Sequence, residues 1–255
     1  MLVATWNVNS LRVRMPQLTG WVGSSPVDVL ALQEIKLQDD EFPRAEVEAL
    51  GFKSAWSGQK TYNGVALLAR HEITDVVRDI PNYEDAQRRV LAATIAGTRV
   101  INVYVPNGQA VGSEKFAYKL AWFEALRAYV AAELAHHPRL IVLGDFNVAP
   151  EDRDVHDPAA WEGQVHVSPE ERAALARLTS LGLKDAFRLF QQPDGVYSWW
   201  DYRAGAFRRN HGLRIDLILV NEPLALACQS CRIEREPRTW ERPSDHTPVV
   251  ARFDI

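Results

Sequence analysis

Seven polar residues stand at the ends of apolar segments or within them, where strands would hold them at the edge of a core. They are Asn7, Glu34, Asp145, Asn147, Asp216, Asp245 and His246. A carboxylate in an apolar strand costs several kcal/mol unless it is paired or metal-bound. A shared Mg²⁺ would explain the set, because Mg²⁺ prefers oxygen ligands and takes one or two carboxylates together with substrate phosphate. We predict Glu34 as its first ligand, with Asn7 and Asp245 nearby.

The remaining members of the set suit attack on a phosphodiester. Such attack needs a group that orients or deprotonates water, and positive or hydrogen-bonding groups around the phosphoryl oxygens. Asp145, Asn147 and His246 suit these tasks. His246 would bind phosphate as an imidazolium if a second carboxylate, for which Asp216 is the candidate, holds its other ring nitrogen. That pairing would fix the tautomer of the imidazole and raise its pKa.

Each of these positions alone has an ordinary structural explanation. A single Asp or Asn at a strand end more often forms a turn or caps a helix than it catalyses a reaction. We interpret His136 and His137 structurally, as cations at the C-terminus of a helix. The pair Arg88 and Arg89 is likewise interpreted as solvated charge. The chemical interpretation therefore depends on the set as a whole.

Short apolar segments rich in β-branched residues recur along the chain and predict strands. They are Val27–Leu32, Gly64–Ala69, Val90–Ile95, Arg99–Val105, Leu140–Leu143, Ile215–Val220 and Thr247–Phe253. Amphipathic segments, notably Ser113–His136 and Pro169–Leu181, predict helices that cover a sheet. The fold class is therefore α/β. The turn at residues 96–98 joins its two strands without room for a parallel crossover, so the sheets must be mixed.

The composition is that of an ordinary globular protein. The 255 residues are 47% hydrophobic and 24% charged, without a repeat or a Gly/Ser linker, which predicts one domain over residues 1–255. No segment resembles a membrane span, and Met1 is not followed by a secretion signal, so we expect a cytoplasmic location. A net charge of −4 argues against indiscriminate coating of nucleic acid.

The two cysteines, Cys228 and Cys231, form a lone C-x-x-C pair. A structural zinc site needs four ligands, and no second pair exists. Residues 225–233 are predicted to be extended, whereas a thioredoxin-type redox motif needs a helix. We interpret both thiols as reduced and structural.

Several motifs follow one another in a fixed order along the whole chain. The main ones are Trp6–Arg12, Leu32–Lys36, Gly144–Asn147 and Ser244–His246, and they are accompanied by Gly58–Lys60, Asn63–Ala66, Tyr104–Asn107, Ser198–Arg203 and Gly212–Asp216. Together they resemble the exonuclease III and class II abasic-endonuclease family, the DNA-repair branch of the endonuclease/exonuclease/phosphatase superfamily. The ordered set is far more specific than any one of its motifs.

This resemblance implies a four-layer α/β sandwich, in which two mixed β-sheets pack face to face with helices on the outside. It implies a Mg²⁺-dependent DNA-repair nuclease, for which Mn²⁺ is a substitute cofactor. The substrate would be double-stranded DNA with abasic sites, nicks or blocked 3′ ends, and the enzyme would be a monomer. The metal and phosphate site would comprise Glu34, Asn7, Asp145, Asn147, Asp245 and His246, with Asp216 as the partner of His246. Which group activates water stays open, with Asp145 as the first choice.

The resemblance also implies residues that contact the substrate. Tyr104, which could equally be an aromatic residue of the core, matches a position whose hydroxyl approaches the scissile phosphate, and Asn107 lies in the same motif. Trp199, Trp200 and Leu213 match a small apolar pocket that admits a base-less sugar and excludes a normal nucleotide. Because adjacent residues of an extended segment point to opposite sides, at least one of the two tryptophans should belong to the core.

His166 departs from the pattern, because many bacterial relatives have a small residue there. If its loop faces DNA, the imidazole would crowd the duplex beyond an internal lesion and favour work at 3′ ends. The alternative is an exposed loop histidine without a role.

Two other functions compete with a DNA-repair nuclease. A catalytically inactive nucleic-acid-binding relative would have no reason to keep costly buried carboxylates. A superfamily phosphatase acting on a non-DNA phosphoester, such as an inositol phosphate or sphingomyelin, remains open because fold alone does not fix substrate. A lipid enzyme should show an exposed apolar loop or a basic amphipathic helix, and the sequence shows neither.

Overall fold

The computed structural model describes all 255 residues and contains twelve strands. In chain order they are β1 (Leu2–Asn7), β2 (Val29–Gln33), β3 (Lys53–Ser57), β4 (Val65–Ala69), β5 (Ile73–Arg78), β6 (Val90–Ile95), β7 (Thr98–Tyr104), β8 (Leu140–Asp145), β9 (Lys184–Asp185), β10 (Asp216–Val220), β11 (Cys228–Ile233) and β12 (Val249–Phe253). Sheet A has the order β11-β12-β1-β2-β4-β3, and sheet B has the order β5-β6-β7-β8-β10-β9. Only β1–β2 and β7–β8 are parallel pairs, which confirms the mixed sheets.

Seven α-helices accompany the sheets. They are α1 (Leu11–Ser24), α2 (Arg44–Ala49), α3 (Glu114–His136), α4 (Pro158–Trp161), α5 (Pro169–Thr179), α6 (Ala206–Arg209) and α7 (Glu222–Ala227). No helix has both the length and the apolar character that a membrane span requires.

The two sheets pack face to face, and their outer faces are covered by helices. One core cluster joins Val29 and Val65 of sheet A to Leu91 and Ile141 of sheet B. A second cluster packs Leu18 and other residues of α1 on the outer face of sheet A, and a third packs α3 and α5 on sheet B. Apolar side chains on both faces explain why the central strands are continuous hydrophobic runs. The four-layer α/β sandwich is confirmed.

Sequence periodicity predicted the buried strands and the helices α3 and α5 but missed α1. That helix contains Pro16, Gly20 and Gly23, all poor helix formers, and it forms because Leu11, Leu18 and Trp21 are buried. The prediction of an extended segment over residues 225–233 was partly wrong, because α7 continues through Ala227 before β11 begins.

The strand directions bring the polar set to one end of the sandwich. The parallel strands β1 and β2 end at Asn7 and Gln33, and β7 and β8 end at Tyr104 and Asp145. The antiparallel strand β10 begins at the same level, since Asp216 pairs with Asp145. One end of each sheet therefore contributes to a shared edge.

Candidate active site

Asn7 connects the two sheets at this edge. Its Nδ2 donates hydrogen bonds to Glu34 Oε1 and to Asp145 Oδ2, each 2.9 Å away. Glu34 directly follows β2 and has a left-handed backbone with φ of 51°, which turns the chain out of the strand. One amide therefore bridges a carboxylate of sheet A and a carboxylate of sheet B.

His246 lies between two carboxylates of sheet B. Its Nδ1 is 2.9 Å from Asp216 Oδ2, and its Nε2 is 3.7 Å from Asp145 Oδ2. A carboxylate only accepts, so Nδ1 is the donor. Burial by itself would lower the pKa of His246, but Asp216 and Asp145 outweigh it and raise this pKa to about 10. The predicted pairing of His246 with Asp216 is present, and the imidazole is a cation at neutral pH.

Asp145 is fully buried by these neighbours. Burial raises the pKa of its carboxyl to about 7, and the His246 imidazolium and the Asn7 amide oppose that rise. Asn147 donates its backbone N–H to Asp145 Oδ1 at 2.9 Å and its Nδ2 to Val105 O at 2.9 Å. Burial thus favours the neutral form of this carboxyl, and the neighbouring imidazolium and amide favour the carboxylate.

Tyr104 lies at the same edge, in contact with Arg89. Burial raises the pKa of the Tyr104 hydroxyl well above its usual value, and the carboxylate of Glu34 raises it further, so the hydroxyl stays a donor. Arg89 lies over the Tyr104 ring at 4.5 Å and donates Nη1 to Tyr104 O at 3.0 Å. Arg89 is only 8% exposed, so its interpretation as solvated charge was wrong. Arg88 is half exposed and pairs with Asp79.

Asp245 is joined to Glu34 through Asn9 and Lys36, two residues to which the sequence analysis assigned no role. Its Oδ1 accepts from Asn9 Nδ2 at 2.9 Å, and its Oδ2 accepts from Trp199 Nε1 at 3.0 Å. Lys36 contacts Asn9 Oδ1 and lies 3.0 Å from Glu34 Oε2. Asn9 and Lys36 belong to the motifs that contain Asn7 and Glu34, and this was the available signal.

The two adjacent tryptophans point to opposite sides, as predicted. Trp199 is half-buried and packs with Leu213 in a small apolar cluster at the edge of the site. Trp200 is 1% exposed, packs against Phe207 and donates Nε1 to Asn210 Oδ1 at 3.2 Å. The assignment of Trp200 to the substrate pocket was therefore wrong, because its ring belongs to the core.

His166 is in the wall of the site and is only 6% exposed, so the exposed-loop alternative was wrong. Its Nδ1 lies 2.6 Å from Asn147 O and therefore donates, which leaves Nε2 to accept from Asn107 Nδ2 at 3.3 Å. Burial and the Lys119 ammonium lower the pKa of His166 to about 4, so the ring is neutral. The rings of His166 and Trp199 are 6.3 Å apart between centroids.

The donor set fits a hard cation. Ligand atoms of Asp145, Asp216 and His246 lie within 4.8 Å of one another, and Asp216 Oδ1 is buried without a hydrogen-bond partner. Both ring nitrogens of His246 already face carboxylates, so Asp145 and the nearby Glu34 are better suited to bind a metal. The Asn7 oxygen accepts from Asn9 N at 3.0 Å and is turned away from them.

Comparison with known proteins places this geometry in one family. The model of the Endonuclease/Exonuclease/phosphatase family matches residues 4–246. Exodeoxyribonuclease III of Haemophilus influenzae is 38% identical, over 99% of this chain and 100% of that protein. The Neisseria 3′ phosphatase NExo, solved with a product DNA hairpin, is 48% identical with a TM-score of 0.98 over the full length of both chains. An AP endonuclease from Archaeoglobus fulgidus is 38% identical with a TM-score of 0.96, also over both full chains. The chain therefore belongs to the exonuclease III and abasic-endonuclease branch of the endonuclease/exonuclease/phosphatase family, whose members hydrolyse phosphodiester bonds of DNA.

Proposed function

We propose that this DNA-repair nuclease works chiefly at 3′ ends of double-stranded DNA, where it removes 3′-phosphate and 3′-nucleotides with Mg²⁺ as cofactor and Mn²⁺ as substitute. One observation carries the chemistry: two carboxylates bridged by Asn7 lie beside the His246 imidazolium. The first feature suits a cation and the second suits a phosphoryl oxygen. The family is one of metal-dependent nucleases.

The residues divide the reaction between them. Asp145 orients and deprotonates the attacking water, because its carboxylate lies at the shared edge among Asn7, Asn147 and His246. His246, Asn147 and the Tyr104 hydroxyl bind phosphoryl oxygens, and Asp216 keeps the imidazole charged and oriented. One amide N–H of Asn107 binds His166, and the second would donate to a phosphoryl oxygen.

We divide the residues predicted for the metal site between two tasks, metal binding and phosphate binding. Glu34 and Asp145 would hold the metal, with Asn7, Asn147 and Asp245 around it, and His246 serves the phosphate. When bound, Mg²⁺ supplies positive charge for the reacting phosphoryl group.

His166 determines the balance of activities in this proposal. Its ring fills space beside Trp199, and two hydrogen bonds to Asn147 and Asn107 hold it there. An internal abasic site needs room for continuous duplex past this wall, whereas a nick or gap does not. The similarity to the Neisseria relative NExo, a 3′ phosphatase, supports the same preference.

A gel assay with three duplexes tests the proposal. They carry an internal abasic analogue, a 3′-phosphate at a nick, and a recessed normal 3′ end, each with Mg²⁺. We expect the two 3′-end substrates to be processed faster than the internal site. His166→Gly should increase the ratio of internal incision to processing at the nick, and an unchanged ratio would exclude steric control.

The alternatives are less well supported. An inactive binding protein would not need a protonated His246 beside two carboxylates, and the relatives named above act on DNA rather than lipid or inositol phosphates. The proposal includes abasic, nicked and 3′-blocked DNA as substrates and a single-domain monomer in the cytoplasm. Gel filtration with light scattering would test the monomer.

A further inference from the structure

A buried ion pair lies behind the candidate active site. Lys119 of α3 contacts Glu171 of α5, and both side chains are 0% exposed. An ammonium has three N–H donors, and Lys119 uses them on Glu171, on Asn147 O at 2.7 Å and on Asn107 O at 3.1 Å. A buried ion pair is weak evidence for stability, because the desolvation of both charges offsets their attraction. Its presence therefore calls for another explanation.

Glu171 ties the same pair to the His166 loop. Its Oε1 accepts from His166 N at 3.0 Å, and its Oε2 accepts from Ser168 N at 3.2 Å and from the Ser168 hydroxyl. The contacts with Ser168 form the capping box of α5 and have a local structural cause. That capping box does not require a buried lysine, nor does it involve the carbonyls of Asn107 and Asn147.

The contact with Asn147 reaches the reacting groups. Asn147 has a left-handed backbone with φ of 50°, a conformation that asparagine adopts more readily than most residues. Its carbonyl is fixed by two buried donors, Lys119 Nζ and His166 Nδ1. In that conformation its N–H points to Asp145 Oδ1 at 2.9 Å. A continuous series of contacts thus runs from Glu171 through Lys119 and Asn147 to Asp145.

We propose that Lys119 and Glu171 are positioning residues: Lys119, held by Glu171, fixes the carbonyls of Asn147 and Asn107 and so orients the amides of both residues and the Asp145 carboxylate. This inference rests on the proposed function, because the groups that Lys119 orients are those proposed to bind the phosphate and to activate water. Neither side chain touches the substrate.

The test replaces both charges together, in Lys119→Met with Glu171→Gln. Removing a buried ion pair also removes the desolvation cost of both charges, which offsets part of the hydrogen-bond energy lost at Ser168 and at the two carbonyls, so the variant should stay folded, with a Tm below that of the wild type. The donor to the two carbonyls is lost. Turnover of a nicked duplex with a 3′-phosphate should therefore fall about 10- to 100-fold. The dissociation constant for that DNA, measured by fluorescence anisotropy, should change by less than about threefold, because neither replaced side chain touches the DNA and His246 and Tyr104 still bind the phosphate.

The matched control is Arg99→Met with Glu133→Gln. This pair is also largely buried and also involves α3, which it joins to sheet B, but Arg99 lies near the start of β7 and Tyr104 at its end. Tyr104 follows Arg99 by five positions along the strand, which places the two residues about 17 Å apart. The control should keep wild-type turnover.

The outcomes separate the two proposals. A wild-type protein that releases no phosphate contradicts the proposed function itself. An active wild type with an equally active Lys119/Glu171 double variant overturns the positioning role. If the double variant does not fold, the single variants Lys119→Met and Glu171→Gln are compared at a temperature where circular dichroism shows both folded. Each leaves one unpaired buried charge, but only Lys119→Met removes the donor, so it should be at least fivefold slower; equal turnover refutes the inference.

Discussion

At the scale of single residues, most contacts of the candidate site converge on Asp145. Asn7 and Asn147 donate to its two oxygens, and the His246 imidazolium lies 3.7 Å away. Burial without these partners would favour the neutral acid. The partners favour the ionised form, as the proposed role of Asp145 as a base requires.

The substitution Asp145→Asn tests that role. It keeps the size and most hydrogen bonds of the side chain but cannot accept a proton from water. Turnover should fall about 10²- to 10⁴-fold, the usual contribution of a general base. The affinity for a nicked 3′-phosphate duplex, measured by fluorescence anisotropy, should be retained. Cleavage at the wild-type rate would remove Asp145 from the mechanism.

His246 and Asp216 should act as one unit. Their hydrogen bond of 2.9 Å fixes which ring nitrogen carries the proton, and without Asp216 the imidazole loses its largest source of positive charge stabilisation. We expect each single alanine variant to lose about 10- to 100-fold in turnover, and the double variant to be barely worse than either one. Losses that add up would show that the two residues work independently.

The sequence revealed only part of this site. Acidic and amide residues at strand ends were recognisable because a carboxylate in an apolar segment is costly. Lys119 and Arg89 gave no such signal, since a basic residue in a helix or after a loop is ordinarily solvated. Their burial follows from how α3, α5 and the two sheets pack, and sequence spacing does not encode that packing. The burial of His166 has the same origin.

At the scale of elements, β8 depends on one glycine. Gly144 has φ of +147°, and a Cβ there would lie 1.9 Å from Val103 O of the neighbouring strand β7. Backbone atoms cannot move aside as a flexible side chain can. Gly144 therefore lets β8 lie close to β7 and sets the position of Asp145, which follows it.

Gly144→Ala should consequently lower both stability and turnover. We expect a loss of about 1–3 kcal/mol in the free energy of unfolding, as for overpacked interiors, measured by urea denaturation. The control is Gly20→Ala in α1, where the added methyl meets nothing within 4 Å. There the better helix propensity of alanine should stabilise the protein by up to about 1 kcal/mol with turnover unchanged. A Gly144→Ala variant as stable and active as the wild type would contradict the close-approach argument.

The elements themselves were predictable to different degrees. Strands buried on both faces, such as β2 and β8, appear as short continuous apolar runs and were correctly predicted. Helix α1 has no clear helical signal, because its stability comes from packing on sheet A rather than from its own sequence. Elements that the sequence did not reveal are therefore stabilised by burial in the tertiary structure rather than by their own sequence.

At the scale of the whole molecule, the site spans the junction of the two sheets. Glu34 and Asn7 belong to sheet A, whereas Asp145 and Asp216 belong to sheet B. A cation held between Glu34 and Asp145 would cross-link the sheets at the active edge. Metal binding should therefore affect the stability of the entire fold as well as its activity.

The corresponding prediction is that chelator abolishes cleavage and that Mg²⁺ or Mn²⁺ restores it, since both metals accept oxygen ligands. Because the unfolded chain does not keep Glu34 near Asp145, Mg²⁺ at about 100 times its dissociation constant should stabilise the fold by about 2.7 kcal/mol and raise Tm by roughly 5–10 °C. Differential scanning calorimetry with and without Mg²⁺ measures this shift. In Glu34→Ala the shift should shrink and excess Mg²⁺ should partly rescue turnover, because a ligand is lost while Asp145 remains. Full activity in chelator, or an equal Tm shift in Glu34→Ala, would contradict a metal held between the two sheets.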